Sequence, residues 1–403
     1  MFISVRAALM AGALLASGTA AFAAPMTLAD ALARGAEASP RIAQAKAQLD
    51  AAEARAVQAG VSPNPEVGLE IENFGGTGPY RSFRQTETTL TVSQRFELGG
   101  KRSARKSVAR AERDFAALAF SRAQADLARD VRYAHAELRA DEDRAVVARD
   151  NAGRARELAR TAGILVEVGR DPPLRKLRAD ALLAEAEAEA ARSFGELLGS
   201  RRLLETLTGI EDAELTAIGD DQAPAPAGLP GHAQTLDERL SAAERDAATA
   251  KIKLAQSEAV PDLTASGGLR QFRESGATAV LAGISIPIPI RNSNRGGIAA
   301  ARSDSLAAEA GLAQTRLDSR RFRRDSEIKL GAANQRLAVL SGPALGQAAE
   351  AARLADVGYR AGKFSLIELI DAQTAFNSAK LALIEARLDR AKALADLARA
   401  NAQ

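Results

Sequence analysis

Glu368 and Asp371 lie three positions apart in a helical stretch, so their carboxylates share one face. Arg175 and Arg178 follow Gly169 at the same spacings at which Glu368 and Asp371 follow Gly362. Opposite charges at equivalent places in two halves of a chain could pair. The alternative is plain: acids near a helix N-terminus favour the helix dipole, and the arginines could be solvated. Metal chemistry has little to work with. There is no cysteine, and the two histidines, His135 and His232, stand isolated in a long helix and a linker. A tight transition-metal site needs three or four converging ligands. No Gly-rich phosphate loop, G-x-S-x-G turn or metalloprotease helix is present, so neither an enzyme nor a cofactor is implied.

The chain repeats itself. Arg41-Ile42 through Pro63 recurs, at a constant offset, as Arg239-Leu240 through Pro261, and Gly169 has a counterpart in Gly362. Each half reads as a helix, a period-two segment, a very long helix, a tight turn and a returning helix. Thr27 can cap the first helix, and Ser39-Pro40 breaks it before a second from about Arg41 to Ala59. The first long helix runs without proline from about Lys101 to Val168, on the order of 100 Å. Leu127, Val131, Ala134 and Leu138 have coiled-coil spacing, as do Ile384, Leu388, Ala391, Ala395 and Ala398. The second long helix, from about Ile298 to Gly358, has a weak point at Gly342-Pro343, where a kink is expected.

The period-two segments are two hairpins, at about 66–96 and 262–288, with strands of roughly ten residues. Val67, Leu69 and Ile71 alternate with Gly68, Glu70 and Glu72, and Leu90 and Val92 alternate with Thr89, Thr91 and Ser93. In the second half Val280, Ala282, Ile284, Ile286 and Ile288 are expected to face one way. Such strands suit an outer membrane, although an edge hairpin of a soluble sheet reads the same.

Composition points the same way. The chain has no Trp and only 4% aromatic residues, so Ala carries most of the apolar content. That suits long helices at close range better than a compact core. Arg6, the apolar run Ala7 to Leu15 and Ala21-Phe22-Ala23 read as an export signal over residues 1–23. No later stretch is apolar enough for a transmembrane helix. The net charge of +3 comes from 54 basic and 51 acidic residues, well interspersed, so nucleic-acid binding has no support. The expected division is a signal at 1–23, a first repeat at 24–211, a linker at 212–235 and a second repeat at 236–403. Four strands cannot close a barrel, and an open sheet in lipid leaves backbone groups unpaired at a cost of several kcal/mol each. Two copies would give eight strands and a filled barrel; three would give twelve and a lumen.

These residues resemble the TolC-like outer-membrane efflux channels. The resemblance rests on Thr27-Leu28-Ala29-Asp30-Ala31-Leu32, the duplicated pattern, and Tyr359-Arg360-Ala361-Gly362-Lys363-Phe364-Ser365 leading to Asp371-Ala372. Pro63-Asn64-Pro65-Glu66 with Glu97-Leu98-Gly99-Gly100-Lys101-Arg102 looks like the cobalt–zinc–cadmium, heavy-metal RND branch. The resemblance implies a mainly α protein with a β-barrel part: a homotrimer with a twelve-stranded barrel in outer-membrane lipid, a helical tube across the periplasm and a partly helical belt at mid-height holding residues near 212–235 and the C-terminal end. It implies a passive duct for divalent cations, served by a periplasmic adaptor and an inner-membrane RND-type pump.

On that resemblance the turns at Gly169 and Gly362 form the periplasmic tip, with Val168, Gly169, Gly362 and Lys363 as adaptor contacts. Glu368 and Asp371 match the acidic residues that ring the closed tip, and Arg175 or Arg178 could hold it shut. Tyr359 could hydrogen-bond near the tip or simply be a half-buried coiled-coil residue. A drug-efflux or type I secretion channel is the alternative within the class. A soluble periplasmic coiled-coil adaptor is the alternative outside it.

Overall fold

A computed structural model describes residues 25–211, 214–219 and 233–402. The expected export signal, His232 and most of the linker lie outside the described residues. In chain order the elements are β1 (Met26–Thr27), α1 (Leu28–Ala38), α2 (Pro40–Gln58), β2 (Glu66–Glu72), β3 (Glu87–Phe96), α3 (Lys101–Glu167) and α4 (Pro173–Thr208). The second half follows as β4 (Ala217–Ile218), α5 (Leu236–Glu258), β5 (Leu263–Phe272), β6 (Thr278–Ser285), α6 (Arg295–Val339), α7 (Leu345–Arg360) and α8 (Leu366–Ala400).

The helix starts are capped by the residues their types suggest. The Thr27 hydroxyl accepts from the Asp30 amide at 3.2 Å, and Pro40 occupies the first turn of α2, where a missing N–H costs nothing. Helix α3 is continuous for 67 residues, about 100 Å. It lies at the centre of the bundle, against α1, α2, α4, α5 and α8, while α6 packs on α5 and α8 and α7 packs on α8. Leu127, Val131, Ala134 and Leu138 are all buried and meet Leu197 and Leu204 of α4. Along α8, Ile384, Leu388 and Ala395 are buried, whereas Ala391 and Ala398 are half-buried and line a cavity of about 300 Å³ against α3. A second buried row, Ala393 and Leu397, faces Leu330 of α6. One seam was expected on α8; being sandwiched between α3 and α6, it has two.

The chain from α6 to α7 is interrupted over Leu340–Ala344 by a wide turn, with Gly342 out of the helical region at φ −88°, ψ −137° ahead of Pro343. Proline removes a backbone donor and clashes with the preceding turn, which accounts for the break.

The four long strands form one antiparallel sheet in the order β2-β3-β5-β6. The halves join through β3 and β5, whose register runs from Glu87 opposite Phe272 to Phe96 opposite Leu263. Two expectations need correction. Strand β2 has seven residues rather than ten, and β6 ends at Ser285, so Ile286 and Ile288 lie beyond it. Pro287 and Pro289 lack the N–H that a ladder needs, although the apolar alternation continues past them. Of the expected belt, the described linker residues 214–219 and 233–235 hold no helix, whereas the C-terminal end is the last turns of α8; β4 pairs in parallel with β1, with Leu215 and Ala217 buried against α3 and α4.

Candidate functional site: the two-turn tip and the polar sheet face

The bundle end opposite the sheet carries two tight turns. In the first, Val168 closes α3, Gly169 takes φ +71°, and the amides of Arg170 and Asp171 both donate to the Leu165 carbonyl at 2.9 and 3.2 Å. In the second, Gly362 takes φ +71° and the Lys363 amide donates to the Gly358 carbonyl at 2.8 Å. Both glycines supply the left-handed residue that ends a helix and frees the chain to reverse. Val168, Gly169, Gly362 and Lys363 are all exposed.

The charged residues are engaged differently from the sequence expectation. Ser365 and Glu368 form a capping box: the Ser365 amide donates to Glu368 Oε2 at 2.6 Å, and the Glu368 amide donates to Ser365 Oγ at 3.3 Å. The Ser365 backbone bond, then its side-chain bond, hold the Glu368 carboxyl below its ordinary range. Arg175 pairs with Asp171 of its own turn, not with Glu368. A partner one helical turn away needs no ordering of a second coiled coil, which is why it wins within the single chain. Arg178 and Asp371 are exposed and border one recess of about 250 Å³ between α4 and α8, with Glu185, Ile367 and Ile370, but they form no ion pair with each other there. Of the expected acidic pair, Asp371 is the carboxylate left unengaged.

Asp171 is the residue that sequence reasoning missed. Its side chain is only 8% exposed, and its Oδ2 is buried without a hydrogen bond. The Tyr359 hydroxyl is likewise buried without a partner. Burial, then the Asp171 charge, push the Tyr359 phenol above its ordinary value, and Arg175 opposes them. Tyr359 of the second coiled coil therefore sits in the field of the first turn, at the edge of a groove of about 610 Å³ shared with Arg154, Asp356 and Gln373. A proline-flanked acid directly after Gly169-Arg170 was the available signal.

The sheet has two unlike faces. Val67, Leu69, Ile71, Leu90, Val92, Leu269, Val280 and Ile284 are exposed together on one. On the other, Arg270 bonds the Thr89 hydroxyl at 2.9 Å and forms ion pairs with Glu72 at 2.9 Å and Glu87 at 3.0 Å. Among the described residues there is no cluster of three metal-ligating side chains, and no helix is long and apolar enough to cross a membrane.

A four-stranded antiparallel sheet running into a bundle of this length is the protomer fold of TolC-like channels. The solved structure of the outer-membrane channel OprN matches it with a TM-score of 0.76 at 23% identity, over 93% of this chain and 89% of that one. The chain belongs to the outer membrane efflux protein family, whose pattern matches residues 32–210 and 234–403. It is 31% identical to the nickel and cobalt resistance protein CnrC of Cupriavidus metallidurans, over 74% of this chain and 72% of that protein. It is 28% identical to the cobalt-zinc-cadmium resistance protein CzcC of the same organism, over 89% and 85%.

Proposed function

We propose that three copies of this chain form a passive outer-membrane duct for divalent heavy-metal cations. The carrying observation is the sheet: four strands with an exposed apolar face and two unpaired edges, β2 and β6. Lipid does not tolerate unpaired strand edges, so further strands must come from other copies, and twelve leave a lumen where eight do not. The helices supply a second seam. Leu306, Leu317, Ile328 and Val339 recur along α6 at an eleven-residue spacing and are 67%, 59%, 69% and 67% exposed. That spacing is close to the natural period of a helix, so the row stays on one side of a long, nearly straight contact. The opposite edge of the protomer offers α2 and α4, with Leu174, Leu177, Leu198 and Leu203 exposed.

Cobalt, nickel, zinc and cadmium enter as cargo through the resistance relatives. The duct needs no tight metal site, because a passing ion must also leave. In this arrangement the helical tube lies in the periplasm, and its tip turns meet a periplasmic adaptor coupled to an inner-membrane pump. Asp371 and Arg178 line the narrow end, and in each protomer Tyr359 of the second coiled coil sits in the field of Asp171 in the first turn. A deletion strain tested in parallel on cobalt, nickel, zinc, cadmium and a panel of drugs decides the cargo. Metal-selective sensitivity, restored by the intact gene, is expected; drug sensitivity alone would replace metal with drug efflux.

A further inference from the structure

Side chains alternate across a strand, and pairing carries the alternation from strand to strand. The face bearing Val67, Leu90, Leu269 and Val280 has no ionisable residue on any of the four strands. Every ionisable residue of the sheet is on the other face: Glu66, Glu70, Glu72, Glu87, Arg95 and Arg270. Around the hairpin turns the charges are largely matched, since Arg270 is shared by Glu72 and Glu87. Glu66 and Glu70 are the unmatched acids, Glu66 at the first residue of β2 and Glu70 well inside the sheet. Glu70 stands in the same cross-strand row as Thr89 and Arg270, yet Arg270 is turned away to Glu72 and Glu87. Glu70 is exposed, and among the described residues its carboxylate has no hydrogen bond or ion pair. Opposite it across the sheet, β6 presents Ala279, Leu281 and Gly283, which carry no compensating charge.

We infer that Glu70 is a selectivity-determining residue of the barrel, giving the lumen a preference for cations, divalent ones above all. The inference rests on the trimeric channel reading and deepens it. An unpaired lumen carboxylate does nothing for the fold, but three of them at one level set the sign of the potential there. With the ring about 8 Å from the axis of a twelve-stranded barrel, and screening at 0.1 M salt, monovalent cations are enriched roughly threefold and divalent ones on the order of tenfold.

The test is the reversal potential of the purified protein in a planar bilayer under a potassium chloride gradient, run in an Asp371→Asn background so that the tip does not mask the barrel. Glu70→Gln should lower the permeability ratio of potassium over chloride about threefold or more, and Glu70→Lys should lower it further. The chain has no cysteine, so Glu70→Cys supplies a single thiol. An anionic thiosulfonate reagent added to an open Glu70→Cys channel should raise cation preference, and a cationic one should lower it, in the same folded molecule. Normal currents whose reversal potential ignores both substitutions and both reagents overturn the role of Glu70 while leaving the channel intact. Wild-type protein that inserts but passes no current overturns the channel reading instead.

Discussion

The α6 row offers the sharpest perturbation of assembly. Replacing Leu317 and Ile328 together by Asp changes positions that are 59% and 69% exposed in the protomer. Exposed substitutions of this kind usually move protomer stability by no more than about 0.5 kcal/mol, so helix content should survive. At a seam between copies the balance is different. Fully burying a Leu or Ile side chain is worth about 1.5–3 kcal/mol, and roughly two thirds of each is still available here, about 1–2 kcal/mol per residue per seam. Three seams raise this to about 3–6 kcal/mol per position in the closed ring, or two to four powers of ten in the assembly constant, before any cost of burying the new carboxylates. Light scattering with size exclusion in detergent, paired with circular dichroism, reads both consequences. The double variant should be helical and dissociated. Undiminished trimer at micromolar concentration would mean that the row faces solvent in the assembly, and the seam would have to be sought elsewhere.

Three further outcomes follow from individual side chains. Arg399, only 7% exposed, bonds Asp126 at 2.5 Å and Asp237 at 3.0 Å and so ties α8 to α3 and α5; Arg399→Met should cost about 2–4 kcal/mol in denaturant unfolding, tempered by Arg41 and Arg122 beside the same acids, and a cost below about 0.5 kcal/mol would refute its role as a tie. Asp171→Ala frees Arg175 and removes the buried charge that acts on Tyr359 at the tip, and should raise single-channel conductance; unchanged conductance in Asp171→Ala, Tyr359→Phe and the pair would remove these residues from the aperture. Glu368 has a folded carboxyl held below its unfolded value, so its contribution to α8 is present above the ordinary glutamate range and is lost as pH falls through the lower, folded value. Amide exchange in the first turn of α8 should therefore accelerate on acidification in wild type and be fast and pH-insensitive, after correction for intrinsic exchange, in Glu368→Ala, which cannot accept from the Ser365 amide.

The long helices were legible because their pattern is local. Leu127, Val131, Ala134 and Leu138 announce a seam by spacing alone, and Gly342-Pro343 announces a break by backbone chemistry. The hairpins were legible from alternation, but alternation does not know where hydrogen bonding stops, so Ile286 and Ile288 were counted into a strand that Pro287 and Pro289 end. The pairing of β3 with β5 joins residues far apart in sequence, and no local signal carries it; with it, the Arg270–Glu72–Glu87 group stayed hidden. At the tip, spacing correctly placed Glu368 and Asp371 on one helix. It did not foresee that Ser365 would engage Glu368, although Ser-x-x-Glu at a helix start is a capping signature. Arg175 was matched by spacing to a distant carboxylate, while Asp171, one turn away, held it.

Everything functional depends on the sheet being closed by other copies of the chain. The most direct measurement is the mass of the detergent-solubilised protein, taken by native mass spectrometry on material extracted from outer membranes. Three chains per particle is the expected result. A single chain per particle, with the α6 row and both sheet edges still exposed, would contradict the account.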